Sequence, residues 1–244
     1  GKEIRKAFIP RDENHVLIAA DYSQIELRIV ASVAEDKGMM DAFNAGLDIH
    51  TATAAKVFGI KLEEVTKNQR YKAKSVNFGL IYGQGAFGLS KNLGISRGEA
   101  SELIDAYFTQ FSGVKKYMDD SIKFCRENGY VKTLLGRKRF IPDINSNNRT
   151  VVGFAERNAI NAPIQGSAAD MIKLAMINIH NRLIKLNVKT KMILQVHDEL
   201  LFDVPKTEVE QIVPIIKKEM ETAMPISVPV LVESGIGNNW LEAH

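Results

Sequence analysis

The longer strand-type apolar runs of this sequence lie toward its two ends. His15 to Ala20 reads His-Val-Leu-Ile-Ala-Ala near the start, and Thr190 to Val196, Leu200 to Val204 and Val228 to Glu233 lie near the end. Between them the apolar residues recur at helical spacing. A sheet must bury at least one face, so the early strand needs partners from the far end of the chain. The pattern predicts an α+β fold: one sheet domain assembled from both ends, with a mostly helical lobe inserted between residues 41 and 154.

The bulk numbers narrow the class. With 244 residues, 45% hydrophobic and 25% charged, the composition is that of a soluble globular protein. The 32 Lys and Arg against 29 Asp and Glu give a net charge of only +3, so a nucleic-acid partner has to be argued from local clusters. A lone Cys125 excludes an internal disulfide and points to an inert, half-buried thiol in a reducing compartment. No apolar run approaches the ~20 residues of a membrane span, and the opening Gly-Lys-Glu-Ile-Arg-Lys is unlike a signal peptide, so a cytoplasmic location is expected. The sequence starts without Met and runs at once into core-like pattern, which suggests a fragment with an upstream part missing.

The first apolar run ends at Asp21, which opens Asp21-Tyr-Ser-Gln-Ile-Glu-Leu-Arg28. Ile25, Ile29 and Val33 then continue at helical spacing, so the strand delivers Asp21 into a strand-to-helix corner. Ligand sites commonly gather at such strand ends, although a single Asp there also suits a turn or cap. Residues 36 to 47, interrupted by Gly38 and Gly46, read as a broken connection, and an Ala- and Thr-rich helix follows from His50 to about Gly59.

Thr66 is placed to cap a helix running to about Tyr82 and stopped by Gly83-Gln84-Gly85. On it Arg70, Lys74, Phe78 and Tyr82 recur every four residues. Four residues advance about 400°, so each is displaced only about 40° from the last and the four form one winding stripe. Ala73, Val76 and Leu80 lie off that stripe and can pack inward. An outward face of two cations followed by two aromatics suits an anionic ligand with a ring; a solvated charged face with two core aromatics is the plainer alternative.

Ser96-Arg-Gly-Glu99 is a capping-box pattern for the next helix, and Val114 to Arg126 forms its neighbour. Tyr130 to Leu134 and Arg139 to Ile141 flank Gly136 as a small hairpin, whose Arg137, Lys138 and Arg139 can track a phosphate backbone or simply face solvent. From Arg149 a helix reaches Asn161, breaks at Pro163 and resumes from about Gln165 to Leu186. Arg157, Asn161 and Gln165 span that break four residues apart, a row of donors suited to the acceptors of a DNA minor groove or simply a polar helix surface. His197-Asp198-Glu199 forms a tight hairpin tip between two strands. Thr207 to Glu210 caps a last helix, and Gly235 to His244 is a terminal loop containing Trp240.

Two carboxylates delivered from different strand ends can hold a pair of divalent cations ~3.5 to 4 Å apart, the arrangement used in phosphoryl transfer. Asp21 and Asp198 are the candidates, with Mg²⁺ removing their repulsion. A triphosphate entering there needs cations such as Lys74 and Arg70, a donor such as His50 and a platform such as Phe78.

These stretches carry a resemblance. Asp21-Tyr-Ser-Gln-Ile-Glu-Leu-Arg28, Arg70-x-x-x-Lys74-x-x-x-Phe78-Gly-x-x-Tyr82-Gly83, Gln165-Gly-Ser-Ala-Ala-Asp170 and Val196-His-Asp-Glu199 are similar to the motifs of the family A DNA polymerases, in the same order and across essentially the whole chain. The resemblance implies a right-hand polymerase fold, with an antiparallel palm sheet (residues 1–40 and 155–244) and helical fingers (41–154). It implies that Asp21 and Asp198 bind two Mg²⁺ ions together with the Tyr22 carbonyl. It places Glu199 beside that catalytic pair, and Arg70, Lys74, His50 and Gln24 with the incoming dNTP. Phe78 lies against the sugar, and Glu26 with Tyr82 bars a ribose 2′-OH. Arg157, Asn161, Gln165 and His197 meet primer–template DNA. The reaction implied is attack of a primer 3′-OH on the α-phosphorus, in replication and repair, by a monomeric enzyme.

Phe78 stands where some relatives have Tyr, so nucleotides lacking a 3′-OH should be disfavoured. The family's thumb does not fit before Gly1, so the isolated chain is expected to be weak or inactive. A binding module that does not turn over and a two-metal nuclease are the competing readings. The cation–aromatic helix disfavours the nuclease, which has no need for a triphosphate grip.

Overall fold

The computed structural model describes residues 2–244 and divides into two compact units, residues 2–25 with 168–244 and residues 26–167.

The first unit is built on a four-stranded sheet. Its strands are β1 (His15–Tyr22), β4 (Lys191–Val196), β5 (Glu199–Pro205) and β6 (Val232–Gly237), in the order β4-β5-β1-β6, and every pairing is antiparallel. β1 from the start of the chain therefore lies between two strands from its end, as the distribution of apolar runs predicts. The register sets Val16 opposite Val204 and Asp21 opposite Glu199.

Side chains alternate across the sheet. Leu17 and Ala19 of β1 join Leu201, Trp240 and Ala243 in one cluster, which puts the short helix α10 (Trp240–Ala243) on that face. Tyr22, of the opposite parity, donates its hydroxyl to the Met220 carbonyl at 2.8 Å and so faces α9 (Val209–Glu221). With both faces covered, all of β5 is buried, which explains why apolar residues fill both faces of Leu200 to Val204 apart from Asp203.

The second unit is mainly helical. It contains most of α1 (Ile25–Val33), then α2 (Lys37–Asn44), α3 (Ile49–Phe58), α4 (Lys67–Ile81), α5 (Ala86–Leu93), α6 (Arg97–Gln110) and α7 (Ser112–Asn128). A short hairpin follows, β2 (Tyr130–Lys132) with β3 (Lys138–Phe140). The caps expected from the sequence form: Thr66 with Gln69 and Ser96 with Glu99 make reciprocal capping boxes, and Gly59 and Gly129 end their helices in the left-handed conformation.

Several sequence expectations are corrected. Residues 36 to 47 contain the regular helix α2, because Asp36 caps it by accepting from the Met39 N–H at 3.1 Å. Pro163 does not break the chain; α8 runs unbroken from Arg149 to Leu186. Proline removes one backbone donor, but buried Ala159, Ile160, Ala162 and Ile164 hold its turns to the core, and the Ser167 hydroxyl donates to the Pro163 carbonyl at 2.6 Å. Thr207 caps nothing; the residue before α9 is Glu208, whose carboxylate instead accepts from the backbone of Lys189 and Thr190 at 2.8 and 3.0 Å. The last strand starts at Val232, and residues 235 to 244 form strand and helix where a loop is expected. Helix α5 has no counterpart in the sequence reading, and Cys125 is fully buried.

Among the described residues no helix is long and apolar enough to cross a membrane.

Candidate active site

In the first unit, β1 delivers Asp21 to the sheet end. The residue is half-buried, and its Oδ1 is inaccessible and meets no hydrogen-bond donor of the protein. The turn joining β4 to β5 comes to the same place: the Tyr22 N–H donates to the Asp198 carbonyl at 3.3 Å, and Glu199 lies directly across the ladder from Asp21. Burial, followed by repulsion from Asp198 and Glu199, pushes the Asp21 carboxyl up to about 6. An anion raised in this way is poised to gain from a bound cation.

His197 precedes that pair with a φ of 55°, and Gln24, just after β1, has a φ of 55° as well. Non-glycine residues rarely adopt this left-handed conformation. Both therefore hold tight corners flanking the acids. His197 is exposed, and its carbonyl accepts from Gln195 Nε2 at 2.7 Å. A recess of about 400 Å³ opens beside Asp21, lined in part by Glu233, Ser234 and His244.

In the second unit, the four-residue stripe on α4 faces outward as its spacing predicts. Arg70, Lys74 and Tyr82 are exposed, Phe78 is half-buried, and Ala73, Val76 and Leu80 are buried. The rings of Phe78 and Tyr82 stack with centroids 6.2 Å apart, and the Tyr82 hydroxyl donates to Glu26 Oε2, so the pair assigned to sugar selection is in contact. His50, at the start of α3, lies 5.6 Å from the Phe78 ring and takes a hydrogen bond at Nδ1 from Asn77 at 3.1 Å. Burial above all, with Arg70 and Lys74 adding to it against Asp48, lowers the His50 pKa to about 4. At neutral pH it is an uncharged ring whose Nε2–H is left to donate.

Arg157 and Gln165 are exposed on α8, while Asn161 is half-buried with an inaccessible, unpartnered Oδ1. Arg157's stem crosses Gly83 so closely that a Cβ on that glycine would lie 2.4 Å from Arg157 Cγ. The two sequence motifs that end in Gly83 and begin with Arg157 thus meet.

The sequence reading missed Asp48. It caps α3 by accepting from the Thr51 N–H at 2.8 Å, and its two oxygens accept from Arg70 Nε and Nη2 at 2.9 Å each. Burial opposes ionisation of Asp48, but the hydrogen bonds from Arg70 and Thr51 outweigh it and hold its pKa down at about 2. The available signal was an Asp immediately ahead of an Ile-His helix start.

Among the described residues no group of three or more His, Cys, Asp and Glu side chains is placed to hold a metal by itself. Mg²⁺, however, normally takes one or two carboxylates and completes its shell with water and substrate phosphate. The unpartnered Asp21 Oδ1 beside the Asp198 turn fits that ion.

A small antiparallel sheet carrying paired acids at a strand end, with a helical unit bearing a cation–aromatic stripe, defines a polymerase-type architecture. The family model for DNA polymerase family A matches residues 1–242. The chain is 52% identical over 244 residues to DNA polymerase I of Streptococcus pneumoniae serotype 4, covering 100% of this chain and 28% of that protein. It is 49% identical over 243 residues to DNA polymerase I of Geobacillus stearothermophilus, again 100% of this chain and 28% of the relative. A solved structure, the POL domain of Pol1 from M. smegmatis in complex with DNA primer-template and dNTP, superposes with a TM-score of 0.95 at 43% identity, over 99% of this chain and 43% of that one. The chain belongs to DNA polymerase family A. It spans about 28% of the length of the curated relatives.

Proposed function

We propose that the chain carries palm and fingers segments, with boundaries near residues 40 and 154, of a DNA polymerase that adds dNMP from dNTP to a primer 3′-OH. The observation that carries the reading is the buried, unpartnered Asp21 Oδ1 held in register with Glu199 and tied by Tyr22 to the Asp198 turn. It is supported by family membership and by a structural relative described with primer-template and dNTP.

In the reaction the primer 3′-oxygen forms a bond to the α-phosphorus, the bond to the β-phosphate oxygen breaks, and pyrophosphate leaves while the hydroxyl proton is lost. Asp21 and Asp198, with the Tyr22 carbonyl, would hold two Mg²⁺ ions, which supply positive charge at the attacking and leaving oxygens. Glu199 lies beside them, across the ladder from Asp21. Arg70 and Lys74 bring positive charge to the triphosphate, and His50 adds a neutral N–H. Phe78 packs against the sugar, with Gln24 among the nucleotide contacts, and Glu26 with Tyr82 closes the space that a 2′-OH would need. Arg157, Asn161, Gln165 and His197 contact the primer–template duplex.

Primer extension on a labelled duplex with Mg²⁺ tests the reading. Lengthened primer that disappears in Asp198→Ala supports it. Duplex binding without extension makes the chain a binding module, and shortened primer makes it a nuclease.

A further inference from the structure

Glu199 is buried, yet both of its carboxylate oxygens are held by protein groups. Oε1 accepts from Trp240 Nε1, and His244 Nδ1 lies 2.8 Å from Oε2, with Arg5 Nη2 3.9 Å from the same oxygen. These three residues come from the two ends of the sequence. Arg5 belongs to a 3-10 helix, Lys2–Ala7, while Trp240 opens α10.

The cluster is itself braced. The Arg5 guanidinium sits 4.6 Å over the Trp240 ring, Phe8 packs edge-on to that ring at 5.3 Å, and the Trp240 backbone N–H donates to the Phe8 carbonyl at 3.0 Å. Glycine lets α10 approach: a Cβ on Gly235 would stand 2.3 Å from the Ala243 carbonyl oxygen, and one on Gly237 would stand 2.6 Å from the Ala243 nitrogen. The sheet edge is thus shaped so that α10 reaches Glu199.

We propose that Trp240, His244 and Arg5 are positioning residues that hold the Glu199 carboxylate from behind and so fix the corner carrying Asp198 beside Asp21. This rests on the metal-binding reading of the two aspartates. A carboxylate with both oxygens committed to protein donors is withdrawn from metal ligation, and its orientation is set by charge-assisted hydrogen bonds. Removing a donor leaves a buried acid partly unsatisfied and loosens the corner that carries Asp198 beside Asp21.

The test is Mn²⁺ binding to the full chain, read by electron paramagnetic resonance of the free ion, for the wild type, Trp240→Phe, His244→Ala and Glu199→Gln. Trp240→Phe retains a ring against Phe8 and loses only the N–H; it should weaken Mn²⁺ binding about 3- to 10-fold, as should His244→Ala, while circular dichroism is unchanged. Adding Trp240→Phe to Glu199→Gln should give no further loss, which a merely structural role would not produce. Folded variants that bind Mn²⁺ like the wild type would overturn the proposal, and His244→Ala alone decides if Trp240→Phe does not fold. A wild type that binds no Mn²⁺ removes the metal reading and this proposal together; a binding wild type with unaffected variants removes only this one.

Discussion

Arg70 is bound by Asp48 through both carboxylate oxygens, so the cation assigned to the triphosphate is held in place before any ligand arrives. Asp48 takes the Nε–Nη2 edge of the guanidinium. The remaining N–H groups of that rigid fork are left to meet phosphate. Because the Asp48 pKa is depressed to about 2, the ionised form contributes stability above the unfolded value of ~3.9, and that stability is lost as the pH falls through about 2. Both side chains are partly exposed, so the pair is worth only ~0.5–1 kcal/mol. Asp48→Asn, which can still cap α3, should destabilise by that amount at pH 7. Asp48→Ala should cost ~1 kcal/mol more through loss of the cap. In urea unfolding at pH 7, 4 and 3 the gap between wild type and Asp48→Asn should narrow toward acid.

Glu26 and Tyr82 meet through a hydrogen bond although they are 56 positions apart. Glu26→Ala removes the acceptor and, on the proposed function, opens space against the sugar. In extension assays the preference for dNTP over rNTP should then fall by about tenfold or more, since a pocket rejects an added hydroxyl only by leaving it no space, a discrimination of roughly 10² at most. Tyr82→Phe keeps the ring stacked on Phe78 and should have the smaller effect. Equal discrimination by Glu26→Ala and wild type would remove Glu26 from sugar selection.

The sheet was readable from sequence because each central strand is a short apolar run, and the stripe on α4 because helical spacing survives burial of one face. Other features depended on tertiary packing. The apolar Val228 to Val232 stretch looks more strand-like than Gly235 and Gly237, but the ladder uses the glycines, since only they let α10 lie against β6. Pro163 signals a break, yet core contacts on both sides carry α8 through it. Trp240 read as loop because the partners that fix it, Arg5, Phe8 and Glu199, are all remote in sequence.

Gly83 has a φ of 74°, and an added Cβ would strike the Arg157 stem. Gly83→Ala therefore carries both a backbone penalty of ~1–2 kcal/mol and a steric conflict. The melting temperature should drop by several degrees, at ~2–4 °C per kcal/mol for a chain of this size. Arg157→Ala should relieve the steric part. The double variant should then be less destabilised than the sum of the singles, a coupling that thermal unfolding of all four proteins measures.

His50 is buried and uncharged at neutral pH, its pKa lowered to about 4 chiefly by burial, with Arg70 and Lys74 opposing its protonation and Asp48 favouring it. The unfolded chain takes up this proton near pH ~6.5, so between that pH and about 4 the unfolded state binds more protons than the folded one. The contribution to stability is intact above pH ~6.5 and declines as the pH falls toward 4. Asn77, itself buried, bonds both His50 and Thr53, so the ring's Nδ1 meets a neutral amide. His50→Gln removes the titrating group. Its urea midpoint should lie below that of the wild type at pH 7, through imperfect packing, yet fall less steeply between pH 7 and 4, so that the two curves converge. Parallel pH profiles for the two proteins would mean that His50 titrates alike in the folded and unfolded chain.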